Sequence, residues 1–207
     1  MTALDAQVRA ADLDRWLASR FVADARARAD LIALYAFEAE LMAIPTRVTQ
    51  PMLAEMRFAW WREQMDGVFA GVARRGHPVL EALTDRVARH ALPRAPFEAL
   101  IEAHVDRVHC QPHDLDAFYT GPMQLAVQVL AGPGHETAVR DAARVRGLSQ
   151  TGKGEEARAL RPAANLALKA LPVAAFPAVA AAALLNPDAP EFLKRLTLVA
   201  ATVRGRI

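Results

Sequence analysis

The sequence is poor in the residues on which several protein classes depend. A single cysteine, Cys110, excludes a disulfide framework and a cysteine-rich zinc module, so a reducing compartment is expected. Aromatic residues are only 6% of the chain, and none is interleaved with a basic stretch as base stacking would require. Charge of one sign is also missing: 25 Lys+Arg face 23 Asp+Glu, a formal net charge of +2, so no nucleic-acid partner is expected. The longest apolar run, Ala170 to Leu185, is mostly alanine, is interrupted by Pro172 and Pro177, and is short of the roughly 20 residues that span a bilayer. It reads as a kinked buried helix pair. The N-terminal stretch has acids and no apolar secretory core, so the cytoplasm is the expected location, with the inner-membrane surface left open.

What is present is helical periodicity. The 207 residues suit one domain, 1–207, and 53% hydrophobic residues exclude a disordered chain. Between Asp24 and Met42 apolar residues recur at Leu31, Leu34, Tyr35, Phe37, Leu41 and Met42, an i, i+3, i+4 stripe. Pro45 is expected to end that helix, and Thr49-Gln50-Pro51 to open the next. Further boundaries fall at Gly76-His77-Pro78, Pro93 to Pro96, Gln111-Pro112, Gly132-Pro133-Gly134 and Asn186-Pro187. Gly147 to Gly154 reads as a polar, Gly-rich loop. No stretch as long as Asp24 to Met42 alternates with period two. The chain is therefore predicted to be all-α, an orthogonal bundle of about eight to ten helices around a cavity lined by residues such as Tyr35, Phe37, Phe58, Trp60 and Met123. Ordinary core packing is the competing reading for each of these side chains.

Other constellations are weak. Glu102, His104, Asp106, His109, Cys110, His113, Asp114 and Asp116 form the densest polar cluster, but Pro112 splits the metal-like His109/His113 pair. A polar helix end competes with a zinc site there. GLSQTGKG lacks the phosphate-loop order and follows a helix, and no GxSxG or HExxH occurs.

Five blocks in order resemble the squalene/phytoene synthase family, the head-to-head prenyl transferases of isoprenoid-synthase fold: ALYAFEAEL at Ala33, EMRFAWWREQMD at Glu55, HPVLEAL at His77, HALPRAPFEALIEAH at His90 and DLDAFYTGPMQLAVQVL at Asp114. They look particularly like a short bacterial branch related to a mitochondrial assembly factor for respiratory complex I. The resemblance implies a cavity with candidates Arg28, Tyr35, Phe37, Glu38, Trp60 and Met123, Arg28 standing where a phosphate-contacting arginine precedes the LYAF block. For Arg28 and Arg62 a solvated surface position competes. Trp60 and Trp61, about 100° apart on a helix, are not expected to face one pocket.

The resemblance also implies two Asp-rich motifs that hold Mg²⁺ against a diphosphate, with hard carboxylate ligands in near-octahedral geometry. No Asp occurs between Asp30 and Asp66, or between Asp141 and Asp188, where those motifs belong. Glu38 and Glu40 are two apart and point to different faces. The expectation is a degenerate member with no catalytic residue, no metal ligand and no cofactor, retained to bind a prenyl diphosphate or lipid, or to act with a protein partner at the inner membrane. Two readings remain beside it: an active Mg²⁺-dependent prenyl transferase using Glu38, Glu63 or Asp66, and a ligand-free helical interaction module.

Overall fold

The computed structural model describes residues 2–48, 50–72 and 74–207; Thr49, expected to help open a helix, lies outside them. The described residues hold eleven α-helices and no strand. They are α1 (Ala3–Ala11), α2 (Leu13–Ser19), α3 (Ala25–Arg47), α4 (Pro51–Phe69), α5 (Pro78–His90), α6 (Ala95–Val108), α7 (Gly121–Ala131), α8 (Glu136–Gln150), α9 (Gly154–Ala167), α10 (Phe176–Val179) and α11 (Glu191–Arg204). The all-α, isoprenoid-synthase-like bundle expected from sequence is what forms. The count exceeds ten because it includes the four-residue α10.

α3 is the axis of the molecule. Every residue from Asp30 to Ala39 is buried, because α1, α2, α4, α5, α6 and α7 pack around it. The apolar stripe expected on one face is thus a helix buried on all sides. Asp30 within it is matched by Arg86 at 2.9 Å, Arg89 at 2.7 Å and His90 at 2.8 Å, which clamp α5 onto α3. Pro45 does not end α3, which continues to Arg47. A proline so close to the C-terminus forfeits one ladder bond, and the Val48 N–H still reaches the Ile44 carbonyl at 3.0 Å.

Two other expectations are corrected. Gly147 to Gln150 belongs to α8, and only Thr151 to Lys153 connects it to α9. Gly147 is there for proximity, since a Cβ would lie 2.7 Å from Tyr119 Cδ2. The Ala170 to Leu185 run is a chain of short turns, not a helix pair: 3₁₀ turns at Val173–Ala175 and Ala180–Ala183 flank α10, and every residue from Ala175 to Leu184 is buried. Its prolines cannot donate ladder bonds, and side chains of α8 fasten the turns: Ser149 donates to Leu185 O at 2.8 Å and Arg146 approaches Ala181 O at 3.4 Å.

Candidate functional site

α2, α3, α6, α7, α8 and α11 enclose a cavity of about 300 Å³. On α3, Tyr35, Glu38 and Met42 line it at i, i+3 and i+7, one face of one helix. Leu100, Phe118, Met123 and Ala126 supply an apolar wall, and the opposite side is ionic.

The ionic side starts at the break between α1 and α2. Asp12 accepts the Arg15 backbone N–H at 2.9 Å and so caps α2. Its carboxylate also meets the Arg15 guanidinium at 2.7 Å and Arg146 at 2.9 Å. Arg15 extends from Asp12 to Glu38, again at 2.7 Å, and lies over the Tyr35 ring, 4.5 Å from its centroid. Lys194 of α11 donates to Pro187 O at 2.6 Å, and its Nζ is 2.8 Å from Asp14 Oδ1, an ion pair without hydrogen-bond alignment. Each cavity carboxylate therefore faces at least one cation, with Arg15 shared between Asp12 and Glu38 and Arg146 between Asp12 and Asp14.

The titration of these groups follows. Desolvation opposes charge on Asp12, but Arg146 and Arg15 outweigh it and hold the carboxyl well below the usual range. For Glu38 desolvation wins over Arg15, and its pKa is raised. Desolvation also pushes the Tyr35 phenol up. His104, buried between Phe58 and Phe118, is pushed down to about 3 by desolvation, with Arg107 and His113 adding to it, and is neutral. Arg107 lines the cavity from an exposed position and pairs with no carboxylate among the described residues.

Of the six candidates the sequence singled out, Tyr35, Glu38 and Met123 meet in this cavity. The other three lie elsewhere. Arg28 forms an ion pair with Asp5, pinning α1 to α3, and is not available to a phosphate in the cavity. Phe37 is two residues from Tyr35, so it points away, into an aromatic cluster with Trp61 and Phe97 at 5.4 and 5.5 Å. Trp60 borders a separate hollow of about 270 Å³ with Glu40, Arg57 and His77. Trp61 borders the same hollow, contrary to the expectation from their 100° separation, because both rings converge on His77, at 5.7 and 5.4 Å.

The polar cluster between Glu102 and Asp116 is dispersed. His104 is buried, His109 pairs with Glu55 at 3.2 Å, His113 stacks on Phe118 and Cys110 is exposed. No group of three His, Cys, Asp or Glu side chains suited to a metal occurs among the described residues. Nor do the substitute carboxylates converge: Glu63 is exposed and Asp66 pairs with Arg94 on the surface. The donor set does not fit a Mg²⁺–diphosphate centre, because the carboxylates that reach the cavity are already neutralised by Arg15, Arg146 and Lys194.

Sequence reading missed Asp12, Asp14, Arg15, Arg146 and Lys194. Two carried a signal. Arg146 continues the buried series Val139, Ala142, Ala143, and Lys194 begins the buried series Leu198, Ala201. A cation on an apolar stripe requires a buried partner.

A family model described as squalene/phytoene synthase matches residues 8–120, more than half of the chain. The match covers α2 to α6 and leaves Arg146 and Lys194 outside it. No curated protein and no solved structure matches.

Proposed function

The chain belongs to the squalene/phytoene synthase family, and from that premise we propose that it is a single-domain binding member in which prenyl condensation is lost. The observation that carries this reading is the neutralisation of Asp12, Asp14 and Glu38 by Arg146, Lys194 and Arg15. Ionising a prenyl diphosphate needs metal charge on the leaving group, and carboxylates committed to guanidinium and ammonium groups do not supply its ligands. Volume supports the same reading. A cavity of about 300 Å³ stands at the lower end of what holds one small ligand, whereas head-to-head condensation must seat two prenyl chains.

The ligand suited to this cavity is one amphiphile with an isoprenoid or other lipid tail. Its tail lies against Leu100, Phe118, Met123 and Ala126, and its anionic head lies toward Arg107, the cation with no carboxylate of its own. The test incubates the protein with farnesyl or geranylgeranyl diphosphate and Mg²⁺, extracts products, and follows thermal unfolding with the same ligands. The expected outcome is a thermal shift and no squalene or phytoene above a no-protein control. Product above that control overturns the loss of condensation, and no shift with any prenyl diphosphate or lipid overturns binding.

A further inference from the structure

α11 buries one face, Lys194, Leu198 and Ala201, and leaves a second apolar face uncovered. Phe192, Leu196, Val199 and Val203 follow at i, i+4, i+7 and i+11 and are 62%, 63%, 46% and 80% exposed. At 100° per residue these four fall within about 60° of arc, on the side of the helix opposite the buried face. Leu193, 44% exposed, widens the face toward α9. Arg195 borders it on one side and Arg204 on the other.

Beside this face, α9, α11 and the residues after α11 form an open groove of about 520 Å³ lined by Arg158, Arg161, Arg204 and Arg206, with no acidic side chain in its wall. None of the four arginines makes an ion pair among the described residues, unlike Arg15, Arg86, Arg89, Arg146 and Arg195. Arg161 Nε is withdrawn from solvent with no hydrogen-bond partner there. Unpaired guanidinium groups in one groove repel each other and favour an anion with several oxygen acceptors.

We propose that α11 and the α9–α11 groove together dock the protein on an anionic phospholipid bilayer, the apolar face entering the acyl boundary and the arginines meeting lipid phosphates. A helix with an apolar arc bordered by arginines is suited to lie in the interface plane, where long cationic side chains reach up to the headgroups. Charge selects this occupant over a second copy of the chain. Two copies joined symmetrically through α11 would bring two unneutralised arginine groups together, whereas anionic lipid neutralises both.

The experiment floats the full chain with vesicles of phosphatidylcholine alone or of phosphatidylcholine mixed with phosphatidylglycerol. The expected result is flotation with phosphatidylglycerol vesicles only, reversed by high salt. Phe192→Ser with Leu196→Ser weakens binding at least about tenfold. Arg158→Gln with Arg204→Gln weakens it roughly fivefold per charge removed. All four positions are exposed, so unfolding temperatures stay at the parental value; Val203→Ser near the helix end serves as the apolar variant should the double substitution unfold. No flotation with phosphatidylglycerol vesicles, equal flotation with neutral ones, or indifference to these variants overturns the proposal. So does a dimer in sedimentation equilibrium that Leu196→Ser abolishes.

Discussion

His104 shows how far one side chain can be moved by its surroundings. The unfolded imidazole titrates near 6.5 and the folded one near 3, so between these values the unfolded chain binds a proton that the folded chain refuses. Stability is complete above about pH 6.5 and falls as the pH drops, by about 2 kcal/mol between pH 7 and 5. Thermal unfolding across that interval checks the slope, and His104→Phe is expected to flatten it, since Nδ1 has no hydrogen-bond partner to lose. Arg146 and Arg107 separate structure from binding in the same cavity. Arg146→Met leaves Asp12 with Arg15 alone and Asp14 with Lys194 alone, and is expected to cost about 3 kcal/mol in chemical denaturation. Arg107→Ala removes an unpaired, exposed cation: stability stays within about 0.5 kcal/mol, while the thermal shift with a prenyl diphosphate shrinks and that with the corresponding alcohol does not.

At the scale of elements, α3 shows which part of the site was legible. Tyr35 and Glu38 can be placed on one face by spacing alone, and so can the opposite placement of Phe37. Spacing does not say which face meets a cavity and which meets α4 and α6, because α3 is buried on every side from Asp30 to Ala39. The connection between α8 and α9 misleads for a related reason. A run of glycine and polar residues resembles a loop, but Gly147 is helical and is needed for the approach of Tyr119. Gly147→Ala is accordingly expected to destabilise the fold by about 1–3 kcal/mol, against the usual gain for that exchange in a helix, with the thermal midpoint as the measurement. Tyr119 lines the cavity, so the same change is expected to weaken ligand binding.

At the scale of the whole molecule, binding without a metal centre makes a prediction that the family chemistry does not share. The thermal shift caused by a prenyl diphosphate is expected to be unchanged by Mg²⁺ or by a chelator and to shrink with added salt, because Arg107 supplies the charge. No helix among the described residues is long and apolar enough to cross a membrane, and the surface that α11 leaves uncovered is a face, not a span. The all-α class, most helix boundaries and the family were determined by the sequence itself, because helical periodicity, proline punctuation and short motifs act over a few neighbouring residues. The empty stretches between Asp30 and Asp66 and between Asp141 and Asp188 were equally plain there. Only the tertiary structure decided that Asp12, Arg15, Glu38, Arg146 and Lys194 share one site. These residues come from α2, α3, α8, α11 and the link before α2, up to 182 positions apart in the sequence. Ion pairs between such distant residues leave no local pattern; they form because the core closes around them and each buried charge must find its opposite.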